Sequence, residues 1–267
     1  MKKAKVFRPT AFAFPYIAVT VVFVIVPLLL VTVYAFRGND GSFSVENFTY
    51  IFTNEAYRNS LFKTVGIAFL ATLLCLLVSY PVAFVLASAP FNKMAVLALL
   101  FVIPMWMNFV LRIVALKSVF TWMGLKPSFW TGVIGLVYDF LPYMLLPIYT
   151  VLSNLDKSYV EASKDLGSNE FLTFWKVTFP LSIPGIISGV SMVFMPIFSA
   201  YAVTGLLADA GTTVIGRGIE QLFSQPSGYG AGSALSFVLL LLVFLVMFAS
   251  SAISRKANKT LKGAKKK

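Results

Sequence analysis

Asp139 is the side chain in this sequence that most needs a chemical account. It is the only charged residue between Pro127 and Leu155, a stretch that is otherwise largely apolar. An acid so placed is expensive unless it meets water, a counter-charge or a cavity. Two readings follow: Asp139 lines a polar path, or it is satisfied locally, by Arg112 or by water near the surface. Covalent chemistry has little to work with. The chain has no histidine, which removes zincin motifs and histidine-based acid–base catalysis. Cys75 is the sole cysteine, so no intrachain disulfide forms, and in LATLLCLLVSY it reads as a small buried apolar residue. GTTVIGRG (Gly211–Gly218) has the glycine spacing of a phosphate-binding loop, but Arg217 stands where lysine is needed and no serine or threonine follows. ATP binding by this chain is not expected.

A second cluster of charge lies in EASKDLGSNEFLTFWKVTFPLSIPGI (Glu161–Ile186), where Glu161, Lys164, Asp165 and Glu170 fall within ten residues of an oily chain. Ser158-Tyr159-Val160-Glu161 has the form of a capping box, which predicts a short helix starting near Lys157. Tyr159, Ala162 and Leu166 share one side of it, leaving Lys164 and Asp165 more exposed, and Gly167 ends it. A second helix starts after Ser168 or Asn169, with Phe171, Phe174, Trp175 and Thr178 on one face. Pro180 and Pro184 are expected to stop it before the next apolar run. A helix as short as the first is marginal in water, so another surface must support it. The alternative is an amphipathic loop lying at the lipid interface.

The elements that carry these residues follow from composition. The 267 residues are 58% hydrophobic and 12% charged, with a mean hydropathy of +0.85. That is an integral membrane protein, since a helix spans a bilayer with about 20 apolar residues. Six spans are expected near 11–36, 64–89, 94–120, 129–152, 183–207 and 231–254. The first reads as an uncleaved span, its charge-free run being too long for a signal peptide. Prolines fall in or beside the spans, and GIISG (Gly185–Gly189) places small residues four apart, as close helix contact requires.

The net charge of +12 does not point to nucleic acid. Four basic residues precede the first span and seven follow the last; with Lys93, Lys157, Lys164 and Lys176 they make 15 of the 22 lysines and arginines, on one side if six spans alternate. The positive-inside rule puts both termini and the polar island in the cytoplasm, and the Lys-rich tail beside anionic lipid. This divides the chain into a basic N-terminus (1–10), a transmembrane domain (11–254) that includes the island's loop (153–182), and a basic tail (255–267).

The island's pattern is Glu-Ala-Ser, three residues, Gly, nine residues, Val, one residue, Phe-Pro. It resembles the cytoplasmic EAA signature of binding-protein-dependent ABC importer permeases, with Ser163 in place of the second alanine and Val177 and Phe179 in place of isoleucine and leucine. Glu161, Ala162, Gly167 and Pro180 are in register. IPMWMNFVLRIVALK (Ile103–Lys117), IGLVYDFLPYMLLPIYTVLSNLD (Ile134–Asp156) and PLSIPGIISG (Pro180–Gly189) resemble the spermidine/putrescine permeases of that family. The resemblance implies an all-α, polytopic membrane protein with six transmembrane helices, a type I (MetI-like) permease fold and a cytoplasmic coupling helix over Tyr159 to Asn169. It implies that Tyr159, Glu161, Ala162, Ser163, Asp165 and Gly167 couple to an ATPase. Implied partners are a second permease subunit, a dimer of ATP-binding subunits that carries the ATP and magnesium, an extracytoplasmic polyamine-binding protein and membrane lipid. This chain holds no cofactor and is not an enzyme.

A polyamine path through low dielectric needs acceptors and aromatic faces. On that reading Asp139, Tyr138, Tyr143, Trp106 and Asn108 line it, and Arg112 is a gate or a structural partner. An ion-coupled transporter using Asp139 is a rival in another class; it predicts inverted repeats, and the sequence shows none. A membrane-embedded enzyme lacks its metal ligands and nucleophile motif. Another small solute is the alternative within the family, where the binding protein largely sets specificity.

Overall fold

The computed structural model describes residues 13–38, 40–88, 101, 103–212 and 214–264. Every regular element among them is helical: α1 (Ala13–Thr20) and α2 (Val26–Ala35), joined by a π-turn (Val21–Ile25), then α3 (Glu46–Thr53), α4 (Glu55–Ser88), α5 (Phe109–Trp122), α6 (Phe129–Ser153), α7 (Ser158–Asp165) and α8 (Glu170–Thr173). A second π-turn (Phe174–Thr178) leads into α9 (Phe179–Ile197), followed by α10 (Tyr201–Leu207), α11 (Ile215–Phe223) and α12 (Tyr229–Ala264).

Five stretches among the described residues are long and apolar enough to span a membrane: Phe14–Ala35, Glu55–Ser88, Phe129–Ser153, Glu170–Ile197 and Pro226–Ala249. The expected third span, 94–120, lies partly outside the described residues; its described part holds a 3-10 turn, Ile103–Trp106, and the 14-residue α5. The second span starts nine residues before its expected position because Asn54 caps α4, its side chain accepting from the Ala56 amide at 2.9 Å. The span expected over 183–207 differs more. Its helix begins at Glu170, ends at Ile197 just after Pro196, and α10 resumes four residues later.

Pro180 and Pro184 therefore do not stop a helix, contrary to expectation. Both π-turns stand just ahead of a proline, at Pro27 and Pro180, and in each the next amide reaches back five residues, Val26 to Val21 and Phe179 to Phe174. The wider turn relieves the clash a proline ring makes with a carbonyl four residues earlier. Each proline then sits near the start of the resumed α-helix, where its missing amide hydrogen is not needed.

The described residues form two compact units, one of residues up to Arg58 with Ile219–Leu241, the other of Asn59–Gly218 with the stretch from Leu242 onward. In the first, the Asn47 side chain donates to the carbonyls of Ala35 (3.2 Å) and Arg37 (2.9 Å), satisfying the frayed end of α2. Gly41 turns the following loop at φ +82°, and Phe36, Phe43, Phe48 and Phe237 pack ring to ring. In that loop Asp40 accepts from the Ser42 hydroxyl and amide, which holds its carboxyl below the usual range.

In the second unit the core sits around α6, whose Val133, Leu136, Met144, Leu145 and Ile148 are buried. A Ser128–Thr131 capping box starts that helix. α9 lies directly against it: a Cβ added at Gly185 would meet the Pro147 carbonyl oxygen at 2.9 Å, and one at Gly189 the Met144 carbonyl oxygen at 3.0 Å. The GIISG spacing is therefore a contact surface. α10 closes on the other end of α6, where the Thr131 hydroxyl donates to the Leu207 carbonyl at 2.6 Å. Replacing Gly185 or Gly189 with leucine is expected to lower stability by about 1–3 kcal/mol, as overpacking does. Gly66→Ala, inside α4 with nothing within 4 Å of the added carbon, should instead raise it by up to about 1 kcal/mol, alanine being the better helix former. Thermal unfolding in detergent, followed by tryptophan fluorescence, measures both.

Candidate functional site

Two places in the second unit hold the residues singled out by sequence. The first is the middle of α6. Asp139 Oδ1 lies 2.6 Å from Arg112 Nη2 of α5, with the two residues 5% and 4% exposed. The local reading of Asp139 thus holds for its counter-charge. The contact is one-pronged: Arg112 Nε and Nη1 are buried and have no acceptor among the described residues. Tyr138 and Tyr143 flank this position without joining it, Tyr138 being exposed and Tyr143 set against the Phe140 ring. Asn108 spends its side chain on capping α5, accepting from the Val110 amide at 2.9 Å. Trp106 is 90% exposed on the 3-10 turn before it. Two of the five nominated path residues are thus committed locally, Asn108 to a cap and Asp139 to Arg112.

The second place is the polar island. α7 starts as expected, but the Ser158–Glu161 capping box does not form. Lys157 already has helical angles, so Ser158 lies inside the first turn and its amide is served by the Asp156 carboxylate at 3.0 Å. Gly167, at φ +80°, closes α7 with bonds from Gly167 N to Lys164 O (2.9 Å) and Ser168 N to Ser163 O (3.1 Å), a Schellman motif. Asn169 then caps α8 through the Leu172 amide at 2.8 Å. The two short helices are tied by Ser163 Oγ to Thr173 Oγ1 (3.1 Å) and by the exposed pair Lys164–Glu170 (3.1 Å). Ser163, where the motif has alanine, is thereby an internal fastening.

The apolar side of α7 faces the other way from what its spacing suggested. Tyr159, Ala162, Glu161 and Asp165 are exposed and Leu166 is 88% exposed, while Val160 and Ser163 turn inward. Tyr159 and Leu166 are thus the large apolar side chains that α7 and its C-cap leave exposed.

Sequence reasoning missed how the island is anchored. Tyr80 of α4 shares a buried hydrogen bond with Ser182 of α9 (2.9 Å), and its ring meets Phe174 and Phe179. The helical spacing of the aromatics in FLTFWKVTF was visible; their partner Tyr80, more than ninety residues before Phe174, was not. The false phosphate loop is likewise structural: Ile215 N donates to Thr64 Oγ1 (2.8 Å) and Lys63 Nζ to the Gly211 carbonyl (2.9 Å).

Residues 10–259 match the family model described as "Binding-protein-dependent transport system inner membrane component". The chain belongs to this family. It is a permease subunit of an ABC importer, a multi-pass helical protein of the bacterial inner membrane, and its role is transport rather than catalysis. The permease is 33% identical over 265 residues to the spermidine/putrescine transport system permease protein PotB of Haemophilus influenzae, covering 90% of each chain. Among solved structures it resembles a bacterial alginate ABC transporter in complex with an alginate-bound periplasmic protein (TM-score 0.74, 13% identity, 92% and 93% coverage). It also resembles the MetNI methionine ABC transporter (TM-score 0.62, 18% identity, 79% and 98% coverage). These last two likenesses are of fold.

The buried pair Arg112–Asp139 and the exposed pair Lys164–Glu170 of this permease should behave differently. Asp139→Asn or Arg112→Gln leaves a lone buried charge and is expected to cost about 3–5 kcal/mol. Lys164→Gln or Glu170→Gln, at the surface, should cost less than about 1 kcal/mol. Chemical denaturation of the four detergent-solubilised variants compares them.

Proposed function

We propose that this permease subunit forms part of the translocation path for polyamines, spermidine or putrescine, in an ATP-driven importer. The observation that carries the reading is the 33% identity with PotB over 90% of both chains. Asp139 gives it chemical support, as an acid held inside an apolar helix where a polycation needs acceptors.

The chain has six spans with both termini cytoplasmic, a basic N-terminus (1–10), a transmembrane domain (11–254) and a basic tail (255–267) at the lipid surface. The loop 153–182 carries the coupling helix, Tyr159 to Asn169. Tyr159, Glu161, Ala162, Asp165 and Gly167 meet the ATPase or shape the surface that does, and Ser163 holds that surface to α8. The uncovered apolar side of α7 supports this assignment. The partners are a PotC-like second permease, a PotA-like ATPase dimer that binds ATP and magnesium, and a PotD-like binding protein on the outer face. Closure of the ATPases moves the rigid hairpins, and the rod from Glu170 to Ile197 carries that motion into the membrane. Asp139, Tyr138, Tyr143, Trp106 and Asn108 line the path, with Arg112 as its gate.

ATP-dependent uptake of labelled spermidine into proteoliposomes holding the full complex tests this. Gly167→Asp puts a side chain at positive φ and a charge on the docking surface. It should cut uptake and copurification of the ATPase by at least about tenfold. Uptake by the chain alone without ATP would sink the importer mechanism, and an assembled complex that ignores polyamines would move the substrate to another small solute.

A further inference from the structure

The Arg112–Asp139 pair carries an inference that rests on the polyamine reading and extends it. A guanidinium serves a buried carboxylate best through two parallel bonds. Here both side chains are buried, yet a single contact joins them, and Arg112 Nε and Nη1 have no acceptor among the described residues. Burial of an ion pair is offset only when the remaining donors are satisfied, so this pair is a poor permanent brace.

α6 holds further acceptors beside it. Pro142 and Pro147 lie inside the helix and have no amide hydrogen, so the carbonyls of Tyr138 and Tyr143, four residues earlier, lack their ordinary donors. At 1.5 Å rise per residue those carbonyls lie about 7.5 Å apart along the axis. With 3.6 residues per turn, the Tyr143 carbonyl shares the face of Asp139 and the Tyr138 carbonyl is turned about 100° away. One carboxylate and one carbonyl on a common face suit a flexible chain bearing several ammonium groups.

We propose that Arg112 is a resident stand-in for the substrate: its guanidinium fills the cation position at Asp139 in the empty transporter, and a polyamine ammonium displaces it. Exchange of one cation for another never leaves the carboxylate alone in low dielectric. The contact between α5 and α6 then opens only for a solute that can replace the guanidinium, and a neutral solute leaves it shut. Arg112 is a specificity-determining residue on this account.

The test is ATP-dependent spermidine uptake by the full complex carrying wild type, Arg112→Lys or the neutral double variant Arg112→Gln/Asp139→Asn, with assembly followed by size-exclusion chromatography. The double variant should assemble while its uptake falls at least about tenfold. Arg112→Lys should stay within about threefold of wild type, because a one-pronged contact needs only one donor. A double variant that regains assembly and full uptake overturns the exchange.

Should the double variant not assemble, Phe109→Cys in a Cys75→Ala background, which keeps both charges and places the thiol one turn before Arg112, decides through labelling by a thiosulfonate reagent. Spermidine, by opening the contact between α5 and α6, is expected to change the labelling rate at least about fivefold, and a neutral solute to leave it unchanged. Labelling that ignores spermidine overturns the exchange. A wild-type complex that imports no polyamine removes the polyamine reading and the exchange together, whereas wild-type import beside a fully active double variant removes the exchange alone.

Discussion

The close approach of α9 to α6 is the contact on which the second unit depends. Gly185 and Gly189 bring the two backbones together at Met144, Pro147 and Ile148, and in a membrane such packing replaces the hydrophobic drive that assembles soluble cores. It puts the helix that leaves the polar island against the helix that holds Asp139. A larger residue at either glycine would part the helix that leaves the island from the helix that holds Asp139.

Backbone hydrogen bonding is the second constraint, because lipid offers no partners. The chain meets it with small polar side chains. Thr131 serves the Leu207 carbonyl where α10 ends, Thr64 receives the Ile215 amide where α11 begins, and Asn47 gathers the carbonyls at the end of α2. Several of these residues come from distant parts of the sequence, so capping and tertiary packing are one set of interactions. The same demand makes α6 notable, because Pro142 and Pro147 deny the Tyr138 and Tyr143 carbonyls their ordinary donors.

Much of this was legible in the residues. Apolar runs gave the membrane class and most spans, Gly167 gave the end of α7, and Asn169 gave the start of α8, since each depends on local chemistry. The failures share a cause. Pro180 and Pro184 read as a stop because a proline's effect was judged against a regular α-helix, and a π-turn changes that background. The side chains of Tyr159 and Leu166 have the spacing of a buried stripe, yet among the described residues both are left exposed. Spacing identifies a face and does not say who faces it. Asp139 illustrates the remaining gap: its isolation was plain, but Arg112 lies 27 positions earlier, and only the fold brings them together.

The π-turn ahead of Pro180 ties chain length to proline content. It holds one residue more than the α-turn it replaces, and that residue keeps a proline ring clear of a carbonyl. Deleting it while keeping Pro180 would press the ring against the backbone. Replacing Pro180 while keeping the residue would free the helix to tighten, turning everything that precedes it in the hairpin by about 100° and shifting it about 1.5 Å. The hairpin of α7 and α8 would then point elsewhere, with every residue in it unchanged. An insertion and a substitution at this point act as a single trait, and the direction of the hairpin is the property they share.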